Sequence, residues 1–92
     1  MGKASRAVYA PKRLGEKLLL IRQGLGLTQE EMLKRLEKFP TLQQSVISAY
    51  ERGDREPPLL VLLAYARIAR IYVDILLDDN ANLPEIFHSQ KN

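Results

Sequence analysis

The sequence predicts an all-α fold, a compact bundle of five helices, and three observations carry that prediction. Apolar residues recur at three- and four-residue spacing in several stretches, as on one face of a helix. Glycine and proline fall between these stretches, where helices end. No stretch alternates apolar and polar residues as a half-buried strand would. Helices that each offer one apolar face, joined by short connections, bury those faces against one another. Ninety-two residues make one domain, and a core of that size holds without staples when its helices pack well.

Taken in order, residues 1–10 are small or basic and predict a flexible arm. The folded domain is expected over 11–78. Pro11 suits the first turn of a helix, where a missing N–H does no harm. Leu14, Leu18, Ile21 and Leu25 form one apolar stripe, and Gly24 and Gly26 end that helix. Thr28-Gln29-Glu30-Glu31 reads as a capping box, with the Thr28 hydroxyl accepting from the Glu31 amide and the Glu31 carboxylate reaching back. A short second helix then buries Met32, Leu33 and Leu36. Pro40 breaks it and leaves 37–42 as a turn. The third helix runs over about 43–52 and stops at Gly53, a natural left-handed cap. After a stiff link at 54–58, the fourth helix places Leu59, Leu62, Leu63, Ala66 and Ala69 on one face. A short fifth helix takes roughly 73–77, and 79–92 form a tail.

Composition excludes several classes of function. There is no cysteine, so neither disulfides nor a thiolate metal site can form, and a reducing compartment is expected. One histidine, no glycine-rich phosphate loop and no His/Asp/Glu spacing for a metal argue against an enzyme, a cofactor or a metal site. No apolar run reaches the roughly 18–20 residues that span a bilayer, and the N-terminus lacks a signal-peptide pattern. A cytoplasmic location is expected. The net charge of +3 is unevenly spread. Lys3, Arg6, Lys12, Arg13, Lys17 and Arg22 face a single Glu16, whereas Asp74, Asp78, Asp79 and Glu85 face a single Lys91. Such a chain has one surface suited to a polyanion and another that is not.

The third helix is the most specific stretch. At about 100° per residue, Gln44, Ser45, Ser48, Ala49 and Arg52 share one face, while Val46, Ile47 and Tyr50 lie opposite. An ordinary surface helix carries Glu and Lys on its outer face. This one offers amides, hydroxyls and a guanidinium, with a small residue that permits close approach. Those groups suit the major groove of B-DNA, where Gln pairs with adenine, Arg with guanine and Ser with either.

Leu25-Gly26-Leu27-Thr28-Gln29-Glu30-Glu31-Met32, then Val46-Ile47-Ser48 with Tyr50-Glu51-Arg52-Gly53, then Arg55-Glu56-Pro57, resembles the phage-repressor-like helix-turn-helix family of Cro/C1-type (XRE) transcriptional regulators. The resemblance spans about 14–77. It implies a lambda-repressor-like bundle in which helices 2 and 3 form the helix-turn-helix, and a repressor that binds double-stranded DNA in a sequence-specific way. It places Gln43, Gln44, Ser45, Ser48 and Ala49 at base-reading positions. It places Thr28, Gln29, Arg52 and Arg55 at the DNA backbone, with Gln29 also buttressing the reading helix. Arg22 and Glu51 match a structural salt bridge between helix 1 and the end of the reading helix. Two-fold symmetry follows as an expectation, a homodimer on a palindromic operator.

The chain also departs from the family pattern. Residues 37–41 lengthen the turn between helices 2 and 3, either extending helix 2 or forming a loop that adds Lys38 as a backbone contact. Arg70 stands where glycine is common and Tyr72 where a capping serine is common, so that corner is expected to pack differently. The rival function is an antitoxin-like interaction module that binds and neutralises a partner protein. Its contact would be the acidic, partly apolar tail with Leu83, Ile86 and Phe87. The same tail could instead pack back on the body or serve as a dimer interface.

Overall fold

The computed structural model of the chain describes residues 11–88. Among these residues, five α-helices follow in order: α1 (Leu14–Gly24), α2 (Gln29–Arg35), α3 (Gln44–Arg52), α4 (Leu59–Ala69) and α5 (Val73–Leu77), with a 3-10 turn at Glu85–Phe87. The arm expected at 1–10 lies outside the described residues.

Helix α1 buries Leu14, Leu18 and Ile21 on the predicted stripe. It begins three residues after Pro11, which is therefore not part of its first turn. The reason lies at the other end of the sequence. Asp79 accepts from the backbone N–H groups of Lys12 (2.9 Å) and Arg13 (3.0 Å) and so caps α1 from outside. Those two N–H groups hold the Asp79 carboxyl below its usual range. The Arg13 guanidinium grips the same segment, donating to the carbonyls of Asp79 (2.8 Å) and Ala81 (3.2 Å) and to Asn82 Oδ1 (3.0 Å).

The clasp is reciprocal. Lys17, only 1% exposed, donates from Nζ to the carbonyls of Ile75 (2.7 Å) and Asp78 (2.9 Å) at the end of α5. A helix C-terminus leaves such carbonyls without partners, and a cation there also meets the negative end of the helix dipole. Burial lowers the Lys17 pKa from the ordinary lysine value, and the charge of Arg13 adds to that. Beyond this clasp the chain does not leave the body at 78. Leu83 and Phe87 join the core, and the Phe87 ring lies on Gly24, where an added Cβ would meet its Cδ1 at 2.7 Å. Packing therefore runs past the predicted boundary, up to the last described residues.

Helix α2 opens on the capping box, with Glu31 N–H donating to Thr28 Oγ1 (3.1 Å) and Thr28 N–H donating to Glu31 Oε1 (2.8 Å). It ends at Arg35, and the lengthened segment that follows is neither more helix nor open loop. It is a run of turns closed by Phe39 N–H to Leu36 O (2.9 Å) and Leu42 N–H to Phe39 O (3.0 Å), pinned by the buried Leu36. Helix α4 is rotated relative to expectation. It buries Val61, Leu62, Tyr65, Ala66 and Ala69, and Leu59 is 69% exposed. A helix apolar nearly all round does not reveal its inner face by periodicity, and here the Tyr65 ring takes the core position. The Tyr65 hydroxyl is buried without a hydrogen-bond partner among the described residues. Burial, then the charges of Glu51 and Tyr50, push its pKa up.

At the α4–α5 corner Arg70 itself adopts the left-handed conformation, φ 61°, that glycine takes without strain. Tyr72 N-caps α5 with no side-chain bond and is 83% exposed. The left-handed conformation strains a residue with a Cβ, and glycine gives back part of the gain through its freer unfolded chain. Arg70→Gly is therefore expected to stabilise the fold by about 0.5–1 kcal/mol, raising the thermal midpoint by a few degrees. A lowered midpoint in a melting curve would mean that the Arg70 side chain contributes more than its backbone strain removes.

Candidate nucleic-acid interface

Helix α3 presents Gln44 and Ser45 to solvent, with Ser48 half-exposed and Arg52 exposed one and two turns on. Gln43 stands at the N-cap in an extended conformation and is likewise exposed. Ile47 and Tyr50 point the other way into the core. The first turn carries no acid, so the positive end of the helix dipole is unopposed at the end where Gln43 and Gln44 sit. Gly53, at φ 80°, ends the helix as a left-handed cap, its N–H bonded to Tyr50 O (3.1 Å).

Ala49 does not share this face. It is 7% exposed, and its methyl packs inward. Five steps of about 100° carry it roughly 140° round from Gln44, past the edge of the outer face.

What fixes α3 against α1 is a bidentate pair. Arg22 Nε lies 2.6 Å from Glu51 Oε2, and Arg22 Nη2 donates to Glu51 Oε1 at 3.0 Å. The two side chains are 14% and 5% exposed, so water competes little for them. Arg22 Nη1 also donates to Leu27 O (2.9 Å), tying in the turn before α2. The hydrogen bond to Glu51 raises the Arg22 pKa. Gln29 then donates from Nε2 to Glu51 Oε1 (3.1 Å), which joins α2 to the same carboxylate. An amide nitrogen carries two hydrogens, so one remains for a phosphate oxygen. Thr28 is in a similar position: its oxygen accepts from Glu31 while its own hydroxyl hydrogen stays available.

Arg52 lies back along α3, with Nη1 donating to Ser48 Oγ and Nε to Asp54 Oδ2 (2.9 Å). Ser48 therefore keeps its hydroxyl hydrogen to donate outward. Arg55 is exposed and makes no hydrogen bond or ion pair among the described residues. Asp54 is paired with Arg52 in the open. Asp54→Asn is expected to free Arg52 for a phosphate and to strengthen binding to every duplex about two- to fivefold at low salt. A salt titration of affinity checks this, and unchanged affinity would place Asp54 away from the DNA. Lys38 is exposed on the turn before α3, but it stands with Arg35 and Arg67 around an apolar groove.

Gly15, which positions the site, and Lys17 and Asp79, which clasp α1 to the end of α5, are not marked as such by the sequence. Gly15 allows α1 to touch the end of α3: a Cβ there would lie 2.8 Å from Glu51 O and 2.9 Å from Tyr50 O. A glycine inside an otherwise good helix was the available signal. Lys17 falls on the buried stripe, three residues after Leu14, and was counted only as charge. In the sequence Asp79 is one more acid of the charged C-terminal part. Arg13, one of the basic residues of the N-terminal part, has its guanidinium engaged by the chain after α5. Of the tail residues that a protein partner would use, Leu83 and Phe87 are buried and only Ile86 is exposed.

Compared with known proteins, the chain matches the profile of a helix-turn-helix family over residues 18–76, more than half its length. It belongs to that family. The matched stretch runs from within α1 to α5 and includes both α2 and α3, so the geometry above is that of a Cro/C1-type helix-turn-helix, a DNA-binding regulator domain. No curated protein and no solved structure gives a match. Among the described residues no helix of this helix-turn-helix protein is long and apolar enough to cross a membrane.

Proposed function

We propose that this helix-turn-helix protein is a sequence-specific transcriptional repressor that binds a palindromic operator as a homodimer and lays α3 in the major groove. The observation that carries the proposal is the pairing of a polar, acid-free outer face on α3 with a rigid inner anchor at Arg22, Glu51 and Gln29. Base reading needs side chains held within hydrogen-bond reach of base edges, so a helix that cannot roll is the physical requirement.

In this assignment Gln44, Ser45 and Ser48 meet base edges, with Gln43 at the entering end. Thr28, Gln29, Arg52 and Arg55 grip phosphates. Each protomer reads one half-site, and half-sites about one helical turn apart match a two-fold dimer.

The test is a titration against randomised duplex DNA at two salt concentrations, with sequencing of the bound fraction. An enriched inverted repeat supports the proposal. Binding without enrichment, or none, removes it. On the enriched operator, Gln44→Ala is expected to lower discrimination at one base pair by about 1–3 kcal/mol. Arg55→Ala should weaken operator and random DNA alike and reduce the salt slope by about one. Equal losses on both DNAs for Gln44→Ala would take base reading away from that side chain.

A further inference from the structure

A second surface of the molecule, apart from the outward face of α3, has the chemistry of a binding site. Between the turn after α2 and the outer side of α4 lies a groove of about 360 Å³. Phe39, Leu60, Leu63, Ala64 and Ile68 line it with apolar side chains. Leu60 is 64% exposed and continues into Leu59, so the apolar surface extends past the groove itself. Three cations from three different segments, Arg35, Lys38 and Arg67, complete the lining, and no acid is among the lining residues. All three are exposed, and none has a hydrogen bond or ion pair among the described residues.

We propose that this groove binds an acidic amphipathic helix of a partner protein. Two features point to that occupant. The floor is apolar and offers hydrophobic anchors a place at one-turn and two-turn spacing, the geometry of helix-in-groove recognition. The rim is entirely cationic, so a helix with acids flanking its apolar stripe gains complementarity on every side, and a neutral or basic helix would leave three charges uncompensated as water leaves. Duplex DNA fits the rim but not the floor, because phosphates pressed against Phe39, Leu63 and Ile68 would lose water and find no donor there. A single small carboxylate would engage one cation and leave the others. None of the outward residues of α3 lines the groove, so the partner can be held while α3 faces DNA. The site gives such a regulator a means of being recruited or displaced by another protein. It does not depend on the operator proposal.

The experiment uses the full chain, labelled with ¹⁵N, and a synthetic amphipathic peptide with Leu and Phe on one face and Glu on the other. A second peptide has every Glu replaced by Lys. The acidic peptide is expected to shift the amide signals around Phe39, Ala64 and Ile68 saturably, and the basic peptide to leave them in place. Because Leu60 and Arg67 are exposed, Leu60→Gln and Arg67→Glu should keep the melting temperature and each weaken the acidic peptide about tenfold. Binding to random duplex DNA should be unchanged in both. Three results would overturn the proposal. One is the absence of shifts, or equal shifts from both peptides. Another is loss of duplex affinity in Arg67→Glu or Lys38→Glu, which would give the surface to nucleic acid. The third is a dimer that Leu60→Gln converts to monomer in sedimentation, which would give it to a second copy of the chain.

Discussion

Glu51→Ala is expected to destabilise the protein by about 3–5 kcal/mol, because it leaves the Arg22 guanidinium buried without its counter-charge. A domain of this kind has only about 5–15 kcal/mol in total, so a large part of its margin disappears. Denaturant unfolding of the full chain measures the loss as a lower midpoint with an unchanged slope. The size of the effect follows from burial and geometry together. An exposed ion pair contributes roughly 0–1 kcal/mol, since water already solvates both partners. Here the pair is bidentate and largely sheltered, and the same carboxylate also accepts from Gln29.

The control is the double replacement Arg22→Met with Glu51→Leu. Removing both charges removes the desolvation problem, so most of the stability should return. DNA affinity should not return with it. Without the carboxylate, Gln29 loses the acceptor that ties α2 to α3, and α3 is held by its packed side chains alone. Stability regained with operator affinity still low would separate the orienting role of this network from its contribution to folding. A loss below about 1 kcal/mol for Glu51→Ala alone would mean that the pair behaves as a surface pair after all.

The parts of this architecture visible in the sequence are those encoded by neighbours. The capping box of Thr28 and Glu31 spans four residues, and the Gly53 cap depends on its own φ, so each is written locally. The end of α3 follows from the Gly53 signal, whereas α5 has no such cap: Tyr72 precedes it without a side-chain bond. The Arg22–Glu51 pair was found only because a family pattern relates positions 29 residues apart. Where no pattern existed, long-range pairing stayed hidden. Lys17 and Asp79 satisfy helix ends more than fifty residues away in the sequence; the place of Lys17 on the apolar stripe marks its burial but not its partners, and Asp79 carries no local sign at all. Leu83, Ile86 and Phe87 have helical spacing for only a single turn in a polar stretch, too short a pattern to say which face is buried, yet Leu83 and Phe87 are both in the core. In α4 the opposite difficulty holds: apolar residues on every side conceal which of them face inward.

Gly15 is the position where local and global preferences conflict most sharply. In an isolated helix, Gly15→Ala would stabilise α1 by about 0.5–1 kcal/mol, because alanine loses less backbone entropy on folding. In the folded protein the new methyl would lie 2.8 Å from Glu51 O, 2.9 Å from Tyr50 O and 3.1 Å from Gly53 N. All three are backbone atoms, which cannot turn aside as a side chain does. The two helices must separate, and overpacking of this kind costs about 1–3 kcal/mol. Gly15→Ala is therefore expected to lower stability by about 1–2 kcal/mol net of the helix gain. Operator affinity should fall as well, since the shift acts on the end of α3 that Arg22 and Gln29 hold. Gly24→Ala is the informative comparison. Its methyl would meet the buried Phe87 ring at 2.7 Å and backbone atoms only at 3.4 Å, so one side chain rather than a helix backbone must shift and its effect should be smaller. Denaturant midpoints and operator titrations of the two variants side by side give the answer. A Gly15→Ala protein that is more stable than the parent and binds as well would show that α1 and α3 tolerate separation, and that the close approach is not what holds the reading helix in place.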